Sequence, residues 1–180
     1  MQDAELQMQR EDKGVVEISD ITPQTSDIRL WQGDITRLKV DAIVNAANAQ
    51  ALGCWAPLHN CIDNCIHSAA GIQLRKECAD KMQGRLLATG DAFITKGYNL
   101  PAKHVIHTVG PIIPDGIPTK EQEEQLAACY RSCLDLAEKN GLESIAFCRI
   151  STGMFHFPNQ RAAAAEYRRS RATTSFLPAG

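Results

Sequence analysis

Apolar positions in this chain fall into several short runs and two helical stripes. Ile28 to Trp31 is a brief strand-like segment, and Val40 to Val44 is apolar at nearly every position. The second is the pattern of a strand covered on both faces. Ile62, Ile66, Ala69, Ala70 and Leu74 recur at helical spacing and predict a helix from about Ile62 to Lys81. Ala92 to Thr95 and His104 to Val109 read as strands, separated by the turn chemistry of Lys96-Gly97-Tyr98-Asn99-Leu100-Pro101. Leu126, Cys129, Tyr130, Cys133, Leu134 and Ala137 share one face of a helix from Glu121 to Asn140, with Gly141 at its end. Ile145 to Ile150 predicts a further strand, and Pro158 to about Arg169 a further helix. Residues 1–26 are polar and irregular, a loose lead-in. Strands and helices alternate, so the class is α/β, and no internal repeat or low-complexity tract interrupts them.

Composition narrows this only a little. A chain of 180 residues fits one domain with a real core, and 44% apolar content is ordinary for a globular protein. A formal charge of −2 gives no electrostatic footprint for nucleic acid or an acidic membrane. No apolar run is long enough to span a bilayer. Met1-Gln2-Asp3-Ala4-Glu5 lacks the basic start and apolar stretch of a secretory signal, so the expected location is cytoplasmic. In that setting the seven cysteines are expected as thiols or metal ligands rather than disulfides.

In open α/β sheets, ligands sit outside the carboxyl ends of the strands. Three loops fall there: Asn45 to Asn60, Gly110 to Pro118, and Ser151 to Pro158. The first carries Asn45, Asn48 and the trio Cys54, His59 and Cys61, spaced C-x4-H-x-C. Two thiolates and an imidazole are normal zinc ligands, and three protein ligands leave a position open for chemistry. Three unrelated core or surface residues would show the same spacing. Cys65, four residues after Cys61 on the same helical face, competes as a ligand, whereas Cys78, Cys129, Cys133 and Cys148 belong to core patterns. The loop Ser151-Thr152-Gly153-Met154-Phe155 offers backbone N–H groups ahead of a helix, suited to a phosphate or simply to a strand-to-helix turn. Asp34 offers an acceptor for a base amino group or an N-cap. His67 reads as a satisfied structural histidine. One of His104 and His107 packs inside with a backbone partner, and Trp55 either shields the site or packs.

Several blocks stand in one order and register. They are Gly33-Asp34-Ile35-Thr36, Val40 to Asn48, Ile66-His67-Ser68-Ala69-Ala70-Gly71, Gly97 to Lys103, Val105-Ile106-His107-Thr108-Val109-Gly110-Pro111 and Ile150-Ser151-Thr152-Gly153. Together they resemble a macrodomain from about Ile28 to Pro158. The glycine run usual after the asparagine block is replaced here by Gly53 to Asn64, which resembles the zinc-dependent macrodomains that remove mono-ADP-ribose from proteins. The resemblance implies a three-layer α/β/α fold with a central mixed sheet. It places Asp34 and Ile35 at the adenine, Asn45 and Asn48 near the distal ribose, and Ser151, Thr152, Gly153, Met154 and Phe155 around the diphosphate. Zinc would be held by Cys54, His59 and Cys61, with Asn48 and Asp63 as catalytic candidates. The implied partners are ADP-ribose and mono-ADP-ribosylated protein. A carboxylate is a better leaving group than a guanidine nitrogen, which favours ester-linked acidic side chains. A module that only binds ADP-ribose, or a hydrolase of O-acyl-ADP-ribose, is the alternative.

The pattern also departs from the family. Arg149 interrupts an otherwise apolar strand. No apolar strand follows Gln160, so the expected domain runs over residues 27–169 without the final strand and helix, followed by a disordered tail at 170–180. A sheet lacking that interior strand would expose an edge at Ile145 to Ile150, the one expected route to self-association.

Overall fold

A computed structural model describes residues 2–25, 27–56, 58–153, 155–158 and 175–178, the last of these as backbone. Among the described residues the α-helices are α1 (Gln2–Lys13), α2 (Ile62–Ala70), α3 (Ile72–Met82) and α4 (Lys120–Lys139). The strands are β1 (Val16–Glu17), β2 (Ile28–Trp31), β3 (Leu38–Lys39), β4 (Ala42–Ala46), β5 (Ala92–Lys96), β6 (His104–Thr108), β7 (Ile145–Ala146) and β8 (Ser175–Pro178). Six of them form a sheet in the order β2-β8-β7-β4-β6-β5, while β1 and β3 pair separately. All pairings in the large sheet are parallel except that of β5 with β6, so the sheet is mixed.

Strand β4 is central because its side chains suit burial on both faces. Ala42, Ile43, Val44 and Asn45 are all fully buried. In its register with β6, Asn45 lies opposite His107, and on the far side of β6 Phe93 of β5 lies opposite the same histidine. Helices α2 and α3 pack on β4 and β5 respectively, and α4 packs on β5 and β6. Leu74, Cys78, Leu126, Cys129 and Cys133 supply their buried stripes.

Four features differ from the sequence pattern. The predicted helix from Ile62 to Lys81 is two helices, broken at Gly71 with φ +93°; a Cβ there would meet the Leu6 side chain at 2.9 Å. The polar lead-in holds a helix, α1, that buries no residue and so carries no apolar stripe to read. Its polar contacts dock it: Asp3 accepts from Gln73 Nε2 at 2.8 Å and from Asn99 Nδ2 at 3.1 Å. Strand β7 stops at Ala146, so Arg149 belongs to the following loop rather than to a strand. Finally, Ser175–Pro178 forms a strand between β2 and β7, in the stretch read as a tail. Strand β7 is therefore paired on both sides, and the edge expected to drive self-association is covered. The helix expected from Pro158 to Arg169 lies almost wholly outside the described residues.

Candidate functional site

A cavity of about 450 Å³ opens where β4, β6 and β7 end. Ala46 to Asn48, Cys54, His59 to Asp63, Gly110, Cys148, Arg149, Ser151 to Gly153 and Phe155 line it. The three loops expected at the carboxyl ends of the strands thus meet in one place.

The loop from Gly53 to Cys61 gathers sulfur and imidazole on one wall. The donor atoms of Cys54, His59 and Cys61 all lie within 4.8 Å of one another, and Cys54 Sγ is 3.3 Å from His59 Nδ1. Local bonds hold them there. Cys61 caps α2, its sulfur accepting from Asn64 N at 3.4 Å, and Asn64 Nδ2 donates to the His59 carbonyl at 2.9 Å. Gly53, with φ +81°, turns the chain against the His67 ring, where a Cβ would sit 2.8 Å from Cγ. Donors around a tetrahedral zinc lie roughly 3.5–3.8 Å apart, given Zn–S near 2.3 Å and Zn–N near 2.0 Å. The donor set therefore fits a divalent soft-to-borderline ion. Burial and the adjacent Cys54 thiol push Cys61 up, and a bound dication would offset that cost by pairing with the thiolates. Cys65 stands apart: it is exposed, and its sulfur lies 3.8 Å from Asn60 Oδ1.

The adjoining wall is polar and tightly bonded. Asp63, in the first turn of α2, is 5% exposed yet lines the cavity. Burial raises its pKa, opposed by the hydrogen bond from Asn45 and by the Arg75 charge. Asn45 Nδ2 donates to Asp63 Oδ1 at 2.8 Å, and Asn48 Nδ2 lies 3.4 Å from Asp63 Oδ2. Asn48 is held by its own loop, accepting from Ala51 N at 3.0 Å. Asn45, expected near a ribose, is instead fully buried behind this wall, because β4 continues through it to Ala46. His67 is buried as expected but not satisfied: neither ring nitrogen has a hydrogen-bond partner among the described residues. Its contact with Asp63 at 3.6 Å is not an ion pair, since burial and the Arg75 charge push the imidazole down to about 4. Of the two strand histidines, the half-buried His104 has the backbone partner, Thr95 O at 3.2 Å, while buried His107 uses side chains. Trp55 is 64% exposed and rests on Arg75, whose Cζ is 4.1 Å from the ring centroid.

The third wall is strained. Ser151 has φ +63°, a left-handed conformation uncommon for a non-glycine residue, and its buried hydroxyl has no partner among the described residues. Its carbonyl accepts from Phe157 N at 2.9 Å, which closes the loop, and Ile113 N donates to Phe155 O at 2.8 Å. Met154 lies outside the described residues. This arrangement leaves Ser151, Thr152 and Gly153 at the cavity opposite the positive end of α2, a setting that suits an anion.

The macro domain sequence profile matches residues 44–165. The chain belongs to the macrodomain family. A protein-ADP-ribose hydrolase of Treponema medium is 54% identical over 169 residues, covering 91% of this chain and 64% of that protein. Another, of Staphylococcus aureus strain MSSA476, is 53% identical over 152 residues, covering 83% of this chain and 57% of that protein. The chain thus spans less than two thirds of either relative. The Trypanosoma brucei macrodomain in complex with ADP-ribose superposes with a TM-score of 0.78 at 36% identity, over 91% of this chain and 71% of that one.

Asp34 and Ile35 of this macrodomain lie elsewhere than the trio. Ile35 is buried at 3% exposure, and Asp34 caps the turn at Ile35–Arg37, accepting from Thr36 N at 3.0 Å. Asp34 lines a second cavity of about 400 Å³, formed with α1, that shares His59 and Asn60 with the first. Lys13 of α1 stands 3.7 Å from Asp34 Oδ2, a contact between residues 21 positions apart that no local pattern predicts. His107, Thr95 and Arg75 also neighbour the site without a local pattern to mark them. Their signal is strand register and helix packing, which one loop's spacing does not carry.

Proposed function

We propose that this macrodomain hydrolyses mono-ADP-ribose from modified proteins, with zinc as its cofactor. One observation carries the reading. The donor set Cys54, His59 and Cys61 and the residue Asp63 line the same cavity as Ser151, Thr152, Gly153 and Phe155. The diphosphate would lie against Ser151, Thr152 and Gly153, near the N-terminus of α2, and the distal ribose against Asn48. Adenine would reach toward Asp34 and Ile35, where Asp34 keeps one oxygen clear of its cap. The names of the hydrolase relatives and the ADP-ribose complex of the trypanosome protein support this assignment of ligand and reaction.

Cys54, His59 and Cys61 would hold zinc, which when bound supplies Lewis-acid polarisation of a ribose hydroxyl or a water. In the hydrolysis, a water oxygen bonds to the anomeric carbon, and the bond to the acceptor oxygen breaks with its electron pair. An ester-linked acidic side chain leaves as a carboxylate. Asp63 takes the proton from the water, and Asn48 orients both the ribose and that carboxylate.

The deciding experiment measures ADP-ribose release from a mono-ADP-ribosylated protein, beside calorimetry with free ADP-ribose. Asp34→Ala should weaken ADP-ribose binding about tenfold, as loss of a charge-assisted hydrogen bond does, with little effect on ribose 5-phosphate. A folded chain that binds ADP-ribose but releases none from protein or from O-acyl-ADP-ribose would be a binding module, and the hydrolase reading would fall.

A further inference from the structure

Behind the Asp63 wall runs a chain of hydrogen bonds. It crosses three neighbouring strands, from Thr95 on β5 through His107 on β6 to Asn45 on β4. Asn45 Nδ2 is 2.8 Å from Asp63 Oδ1 and 3.1 Å from His107 Nδ1. Asn45 Nδ2 donates one hydrogen to Asp63, which as the proton-accepting carboxylate of the reaction above only accepts. The flipped amide would set oxygen against oxygen. The second amide hydrogen points to His107 Nδ1, which must be the bare ring nitrogen. The ring proton then sits on Nε2, 3.0 Å from Thr95 Oγ1, and the Thr95 hydroxyl donates onward to the Val105 carbonyl at 3.3 Å.

His107 has no room to do otherwise. It is fully buried and stacked on Phe93, with ring centroids 4.8 Å apart and planes at 13°. The cost of this chain is a buried Asn45 Oδ1 with no hydrogen-bond partner among the described residues. What it secures is the Asp63 carboxylate, held through Asn45 on one oxygen and Asn48 on the other.

We propose that His107 is a positioning residue: through Asn45 it fixes the orientation of Asp63 in the cavity wall, and so governs turnover rather than ligand affinity. The proposal rests on the hydrolase reading above and deepens it.

Three variants and one spectrum test it. His107→Phe removes the acceptor and should lower kcat on mono-ADP-ribosylated protein by about 10–100-fold, the scale of a small misplacement of a reacting group. KM and the Kd for free ADP-ribose should stay within about twofold, the split expected when only transition-state contacts are lost. His107→Asn places an oxygen where Asn45 can donate and should recover most of the lost rate. Thr95→Val is nearly isosteric and should lower kcat several-fold. It stands in for His107→Phe should that chain fail to fold. Long-range ¹H–¹⁵N spectra of wild-type protein with labelled histidine should show His107 protonated on Nε2. Unchanged kcat in the folded variants, a parallel loss of kcat and ADP-ribose affinity, no recovery with asparagine, or a proton on Nδ1 would each overturn the proposal. A wild type that binds ADP-ribose but turns nothing over overturns the hydrolase reading and the rate claim together. The tautomer separates that result from a failure of the hydrogen-bond chain itself.

Discussion

Two clusters of sulfur and imidazole meet across Gly53 and Asp63, and they are built for different work. The outer one, Cys54, His59 and Cys61, is half-buried and opens on the cavity; the inner one, His67, Cys78 and His107, is closed in the core. In each, the three donor atoms lie within 4.8 Å of one another. Proximity therefore does not distinguish them, but access and proton chemistry do. A metal ligand must be deprotonated and must have its lone pair free. Burial pushes the Cys78 thiol up to about 12, and both nitrogens of His107 face Asn45 and Thr95. The inner cluster is a hydrogen-bond hub of neutral groups, while the outer cluster keeps its donors toward a space an ion can enter.

Metal content is the sharpest way to break this contrast, and it carries the largest expected effect. Purified protein should hold about one zinc per chain, as a single three-ligand site would. Cys61→Ala should lose it, and ADP-ribose release should fall by at least about 100-fold, the scale of a removed Lewis acid. Cys78→Ala should keep its zinc and lose only about 1–3 kcal/mol of stability, as a small buried truncation does. Equal zinc loss in both variants, measured by atomic absorption, would erase the distinction between the two clusters.

Acid stability tests the inner cluster by itself. Burial pushes His67 down to about 4 and His107 down to about 3; the Arg75 charge adds to the first, and His67, once protonated, to the second. In the unfolded chain both titrate near 6.5. Below that pH the unfolded state binds protons that the folded state refuses, so their contribution to stability is complete above about 6.5. It is lost progressively as pH falls toward 4 and then 3. Between pH 7 and pH 5 the loss should be roughly 2 kcal/mol for each histidine. Asp41 is held below the ordinary carboxylate range, against the cost of its burial, by Lys103, Glu143 N and Ser144, and so acts only at lower pH. Urea unfolding of Cys61→Ala at the two pH values keeps the metal's own pH dependence out of the measurement. A loss under about 1 kcal/mol would mean that the inner imidazoles are not held neutral by burial.

The same contrast explains what could be read from the chain. The outer cluster was visible because its three residues fall within eight positions of one another, on one loop, with donor types that speak for themselves. The α4 stripe is legible for the equivalent local reason, whereas the mixed sheet follows only from the resemblance to a macrodomain. The inner hub was not, because it depends on register: Asn45 and His107 are 62 residues apart and meet only when β4 and β6 pair. Asn45 reads as a loop residue when the strand is taken to end at Val44, and the resemblance implies a ribose contact for it, whereas β4 runs two residues further. Helix α1 was missed because it docks by polar contacts, and β8 because four residues carry no period worth reading.

The smallest effect should come from Cys65, and it matters because it decides whether the outer site is open. By spacing, Cys65 follows Cys61 by one helical turn and is as good a candidate ligand as any. In the folded chain it lies apart from the trio, exposed, on the wall of the cavity that α1 helps to form. Its thiol is pushed up by burial of its inner part and by the Asp34 charge, so it is poorly prepared to bind a cation. Cys65→Ser should therefore keep about one zinc per chain, and its stability should stay within about 0.5 kcal/mol, as surface changes usually do. Its rate of ADP-ribose release should also be unchanged. Should the serine variant lose zinc as Cys61→Ala does, the ion would have four protein ligands. Such a site is closed, holds structure together and leaves no position for a ribose hydroxyl or a water.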